Sequence, residues 1–238
     1  MRDFDRDRRS LFVAGTTGLL LTASPALAPL AEAHGDENDV SAVEDMMREH
    51  GVLRRALLVY VETAARLRHN GAGASDPQAL NDTAKLFRTF GEDYHERKLE
   101  EAYVFPSVRK AGGPAAVLTD ILVAQHNRGR EITDYILSVT GMGSIGIGDA
   151  EPLAHVMETF VLMYQNHAAR EDTVVFQAWK KAIPPHVMEE MGDKFEKIEH
   201  EQFGEDGFED ALRKIAAIEQ TLGYADLAQF TAPPPPRP

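Results

Sequence analysis

At 238 residues the chain has the length of one domain with a small appendage, enough to bury a sizeable core. Its formal net charge of -13 argues against nucleic acid or an anionic membrane surface as a partner. The absence of cysteine excludes disulfides, thiolate metal sites and a Cys nucleophile, whereas nine histidines stand out because several fall where apolar side chains belong.

Residues 1–33 are expected to be an export signal and not part of the fold. Arg8-Arg9 precedes an apolar, Gly/Ala-rich stretch reaching about Leu30, too short and too interrupted by Gly and Pro to span a membrane. Ala31-Glu32-Ala33 offers small residues for cleavage before His34. The paired arginines look like those of a twin-arginine signal, which sends folded proteins to the periplasm or beyond, the alternative being a plain secretory signal with incidental arginines. No membrane insertion is expected after cleavage.

From there the signals are helical. Ser41 followed by Glu44 is a capping box, so a first helix is expected from Ser41 toward His69. A Gly/Ala loop leads to Pro77, well placed in the first turn of a second helix that runs to about Arg109 and is broken by Gly112-Gly113-Pro114. A third helix covers about Ala115 to Thr140. After a Gly-rich loop, a fourth runs from near Pro152 to just before Pro184-Pro185. Two shorter helices are expected over about 186–203 and 208–222, and Pro233–Pro236 is expected to be extended. The fold class is therefore all-α: an up-down-up-down four-helix bundle with one or two extra C-terminal helices. The bundle is assigned to residues 34–183, a C-terminal helical extension to 184–223 and a Pro-rich tail to 224–238.

The fourth helix carries the clearest chemical argument. Leu153, Met157, Phe160, Tyr164, His167, Glu171, Val174 and Ala178 recur at steps of three and four, which places them on one helix face, and its apolar members make that face the buried one. His167 and Glu171 lie in its middle, one turn apart. A lone buried carboxylate costs several kcal/mol (roughly) unless it is paired, neutralised or bound to a metal. On the first helix His50 falls within the face defined by Val43, Met46, Met47, Leu53, Leu57, Val61 and Ala64. On the third, Leu118, Leu122, Gly129, Thr133 and Ile136 bracket His126. On the second, His95 lies between Phe87-Phe90 and Phe105-Pro106, with Glu96, Glu100 and Glu101 close by. One such histidine is ordinarily a satisfied core residue; four, one on each long helix, point to a shared site. Imidazole suits first-row transition metals, and a carboxylate can bridge two of them.

These stretches together resemble the hemerythrin-type (HHE) cation-binding family: His50; His95-Glu96-Arg97-Lys98-Leu99-Glu100-Glu101 running into Val104-Phe105-Pro106; His126 with Gly129-Arg130; and His167-Ala-Ala-Arg-Glu171-Asp172-Thr-Val-Val-Phe176. The resemblance covers about residues 40–180. It implies a non-haem centre of two iron ions, or another first-row transition metal, held by His50, His95, His126, His167 and Glu171, with Glu100 as a further ligand. Family members variously bind oxygen, respond to nitric oxide or iron, or help repair iron centres. The expected function is thus an exported di-iron protein that binds metal ions and a diatomic ligand, oxygen or nitric oxide, and is a binding protein before it is an enzyme. The alternatives are a di-iron peroxidase or oxidase on the same scaffold, or an iron store or sensor. A ferritin-like oxidase would need Glu-x-x-His on two helices, and only Glu92 to His95 is present. No Gly-x-Ser-x-Gly elbow supports a serine hydrolase.

The second helix holds an inconsistency. The family usually spaces its His and Glu four apart, where this chain has Leu99. His95 and Glu100 are five apart, about 140° around a regular helix. A single π-type turn absorbs one residue and would bring Glu100 under His95, so such a turn is expected between His95 and Glu101, with Glu96 and Glu101 as the alternative carboxylates. His200 is a candidate fifth histidine if its helix folds against the bundle mouth.

Overall fold

The computed structural model describes residues 40–236 except 205. The expected export signal and His34 lie outside the described residues. Within them the chain is all-helical, without a strand.

Local chemistry sets each helix boundary. Helix α1 (Ala42–Asn70) begins where the Ser41 hydroxyl accepts the Glu44 N–H at 3.3 Å and ends at Gly71. Helix α2 (residues 77–111) begins at Pro77, with the Asp76 carboxylate accepting the N–H groups of Gln78 and Ala79 at 2.9 and 3.1 Å. It stops at Gly112 and Gly113, whose φ of 77° and 81° suits glycine alone, and Pro114 then starts α3 (Pro114–Thr140). Helix α4 covers residues 150–182. The extension contributes α5 (Pro185–Phe203) and α6 (Gly207–Leu222), followed by a 3-10 turn, Leu227–Phe230, and an extended, exposed stretch to residue 236. No described helix is long and apolar enough to cross a membrane.

The four long helices pack in a ring, α1 against α2 and α4, and α3 against the same two; α5 and α6 lie on α1 and α2. Edge-on contacts of Phe87 with Phe160 and Tyr164, at 5.0 and 4.9 Å between ring centroids, fill the middle of the core. Arg55 ties α6 down, holding Glu219 through two guanidinium nitrogens.

Two helices change pitch inside the bundle. In α2, an α-helical start (Pro77–Leu86) gives way to a π-helical segment, Phe87–Val104, before α-helix resumes at Phe105–Ala111. In α4, Ala150–Arg170 is followed by a π turn, Glu171–Val175, and then by Phe176–Ala182. The wide segment expected around His95–Glu101 is present and longer than expected; the second was not foreseen. The π turn in α4 corrects the regular stripe. Val174 is 36% exposed and Ala178 half-buried, while Val175, Phe176 and Trp179 are buried in their place. One extra residue after Glu171 moves the buried face on by one position. The buried face of α1 is broader than expected and shifted around the helix: Met47 and Val61 are exposed, and Val52, Ala56, Val59 and Tyr60 fill the core.

Candidate metal centre

All six candidate residues, His50, His95, Glu100, His126, His167 and Glu171, converge in the bundle interior, each no more than 2% exposed. The pitch change in α2 does what the spacing required. Glu100 turns under His95, with Oε1 3.3 Å from His95 Nε2 and Oε2 3.2 Å from His126 Nε2. Leu99, which a regular helix would have placed there, packs in the hydrophobic core. On α4, His167 precedes the π turn and Glu171 opens it, so the two keep the ordinary four-residue spacing. Glu171 Oε2 stands 3.0 Å from His167 Nε2 and 3.5 Å from His50 Nε2, and its Oε1 is 4.0 Å from His126 Nε2.

The histidines form two pairs. His50 and His95 face each other with Nε2 atoms 3.0 Å apart; His126 and His167 do so at 3.1 Å. Two imidazole nitrogens bound at right angles to one ion, each about 2.0–2.1 Å from it, stand about 3.0 Å apart. Donor atoms of His50, His95 and Glu100 form one compact group, and those of Glu100, His126, His167 and Glu171 a second, so Glu100 belongs to both.

Each outward nitrogen, Nδ1, has its own partner: Asp172 Oδ1 for His50 at 2.7 Å, Glu49 for His95, Glu101 Oε1 for His126 at 2.9 Å and Gln125 Oε1 for His167 at 3.0 Å. Carboxylate and amide oxygens only accept, so each Nδ1 carries the proton and each Nε2 lone pair points inward. Arginines hold two of these partners in turn, Arg54 on Asp172 and Arg130 on Glu101 and Glu96. Phe176 stacks on His50 and Phe105 on His126.

Four facing lone pairs and four buried carboxylate oxygens of Glu100 and Glu171 with no hydrogen bond of their own make a cage that only cations can satisfy. The donor chemistry therefore fits a pair of metal ions. The same carboxylates favour protonated rings at His126 and His95. Burial opposes charge on His126, but Glu96, Glu100 and Glu101 outweigh it and raise that group to about 10. His95 is held well above its ordinary value against the same cost of burial, chiefly by Glu100 and Glu49. Burial would push Glu171 up, yet His167 and His50 hold it far below the usual carboxylate range.

The remaining candidates fall outside the cage. Glu96 is buried against Arg130, with the Tyr164 hydroxyl 3.5 Å away, and Glu101 serves His126 from behind. His200 is exposed and does not reach the site; His69, His155 and His186 are exposed as well. Tyr164 stacks on His167 at 5.1 Å, while Tyr94 lies apart from the donors, against Phe203 of α5. Sequence reasoning missed Glu49 and Gln125. Each immediately precedes the histidine of its helix but serves one on the next helix, Glu49 on His95 and Gln125 on His167, so local pattern carried no signal for either.

Comparison with known proteins agrees with this geometry. The family model described as Hemerythrin HHE cation binding domain matches residues 41–179. Uncharacterized proteins of Mycobacterium bovis and of Mycobacterium tuberculosis strains CDC 1551 and H37Rv are each 44% identical over 196 residues, covering 82% of this chain and 75% of theirs. No solved structure matches the chain.

Proposed function

This chain belongs to the hemerythrin HHE cation-binding family, and from that membership we propose that its buried cage holds two iron ions and receives a diatomic ligand, oxygen or nitric oxide. His50 and His95 would hold one ion, His126 and His167 the other, with Glu100 and Glu171 shared between them. One observation carries the reading: four inward Nε2 atoms, each fixed by a partner on Nδ1, surround two carboxylates that have no other hydrogen bond. When bound, the iron supplies an open coordination position and reversible one-electron chemistry.

The protein's own groups do the rest. Glu49, Glu101, Asp172 and Gln125 keep the four rings in one tautomer and orientation. Phe105 and Phe176, stacked on the rings, exclude water from the donor side. Tyr164, its ring against His167 and its hydroxyl 3.5 Å from Glu96, is placed to steady that side. We further propose that the four long helices run up-down-up-down through residues 34–183, with 184–223 as an added helical cover. Residues 1–33 would export the folded, metal-loaded protein to the periplasm or beyond.

Elemental analysis of natively purified protein tests this, with close to two ions per chain, mostly iron, as the expected result. At most one ion, or zinc alone, would overturn the di-iron assignment. A visible charge-transfer band that forms in air and fades under vacuum is expected of the reduced protein. A band that decays irreversibly while peroxide is consumed would replace the binding role by an enzymatic one.

A further inference from the structure

The two ends of the cage differ in how they meet the solvent. Behind His95 lies Glu49, fully buried, and no Arg or Lys pairs with it among the described residues. Tyr94 and Phe203 of α5, 5.3 Å apart in an edge-on contact, pack over that side, and Lys98 bonds Gln202 at its rim. The His50/His95 end is thus closed by charge and by the C-terminal extension. Behind His167 stands Gln125, a neutral amide that is itself only half-buried. It shares with His167 the floor of a cleft of ≈180 Å³ between α3 and α4, walled by Ile121 and Leu122 and rimmed by Asn166 and Arg170. A neutral hydrogen bond is about half as strong as one to a charged acceptor, so Gln125 holds His167 less firmly than Glu49 holds His95.

We propose that small exogenous ligands reach the cage through this cleft, at the His126/His167 end, and that Arg170 selects for uncharged or anionic ones. The inference rests on the metal-binding reading above and adds its route and its selectivity. The rim carries one exposed guanidinium, which bonds only the neutral Asn166 amide, at 3.2 Å, and has no carboxylate partner among the described residues. Its charge is therefore free to repel incoming cations and draw in anions. The walls are apolar, which admits a molecule of two or three atoms without binding it strongly. Gln125 is the positioning residue: its side chain must swing away for a ligand to pass His167.

The test uses the iron-loaded full chain and azide, a small anion, followed by stopped-flow absorbance. Ile121 is 53% exposed, so Ile121→Trp should fold normally while narrowing the passage. It is expected to slow azide association and dissociation together, each by about tenfold or more, and to leave the equilibrium constant unchanged, as a gate must. Arg170→Glu is expected to slow association about threefold to tenfold at low salt, with the difference shrinking as salt is raised. Nitric oxide, being uncharged, should feel the first variant and ignore the second. Phe203→Ala, which thins the cover over the other end, should change neither rate. Unaltered azide kinetics in both cleft variants, or faster entry in Phe203→Ala, would overturn the route. A wild-type protein that binds no metal would instead overturn the function on which it rests.

Discussion

The two halves of the bundle carry the same parts in the same order. In α1 and α2 these are Glu49-His50, Arg54, His95, Glu100-Glu101 and Phe105; in α3 and α4 they are Gln125-His126, Arg130, His167, Glu171-Asp172 and Phe176. Each acidic pair turns its first member to the donor cage and its second to the back of a histidine. Where the halves depart from one another, the departures are local and chemical. The His-to-Glu interval is five residues in the first half and four in the second, and only the first needs a long π segment to close it. The partner behind the second histidine is a carboxylate in one half and an amide in the other. Equivalent donors can thus be built on unequal helices, and the inequality is left in the surroundings.

Removing each carboxylate should expose the largest difference. Among the described residues Glu100 has donor atoms in two of the three compact donor groups and Glu171 in one, although Glu171 Oε2 also lies 3.5 Å from His50 Nε2. Glu100→Ala is expected to lose nearly all bound metal, and Glu171→Ala about half, retaining the ion at His50 and His95. Metal content after dialysis decides it, and equal losses would make the two bridges equivalent.

The arginines come next. Arg130 is buried against Glu96 and also holds the half-buried Glu101, so Arg130→Ala strands the buried Glu96 carboxylate and should cost about 3–5 kcal/mol. Arg54 holds Asp172 from a side chain 44% exposed, and Arg54→Ala should cost about 1 kcal/mol or less. Urea denaturation of the metal-free proteins measures both; similar values would mean that the two ion pairs are equally solvated.

The smallest effect expected is in the pH profile of the metal-free protein. Asp45, Glu92 and Glu199 are pushed up to about 7, first by burial, and the carboxylates around His126 hold it at about 10 against burial. Each binds its proton more tightly folded than unfolded, so its contribution is full below the unfolded pKa and is lost as pH rises through the folded one. Glu171 runs the other way, its contribution being present above the ordinary glutamate value of 4.5 and lost as pH falls toward its depressed folded value. The melting temperature should therefore peak in mildly acidic solution and decline toward pH 10. In iron-loaded protein the metal displaces the histidine protons, so the decline between neutrality and pH 10 should disappear. Calorimetry on the two forms checks this, and parallel profiles would mean that the histidines do not exchange protons for metal.

Much of this was legible in the residues. Helix boundaries followed Ser41, Asp76-Pro77 and Gly112-Gly113-Pro114, whose roles are local and survive without knowledge of packing. The interior histidines could be found because a polar side chain on an apolar stripe is conspicuous. The need for a π turn at Glu100 followed from one interval that was a residue too long. The π turn after Glu171 was not legible, because His167 and Glu171 already stand at regular spacing and the extra residue comes afterwards. Its cost to the reading was the misplacement of Val174 and Ala178 on the buried face. Glu49 escaped for a related reason: it sits about 100° from His50 around α1 and meets His95, 46 positions away, a relation that no local pattern contains.

The stacking of Phe176 on His50 and of Phe105 on His126 crosses from one half to the other, and so do the bonds of Asp172 and Glu101. Each half thus finishes one histidine of its neighbour, like the two sides of a clasp, while Glu49 and Gln125 serve His95 and His167 within their own halves. A fragment of α1 and α2 alone would keep His50 but lose both the ring and the acid that fix it. On the proposed reading, half a molecule would carry no half-strength site, and metal binding would be tied to closure of the whole domain. Two separately made halves would be drawn together by metal, each being incomplete in the parts the other supplies.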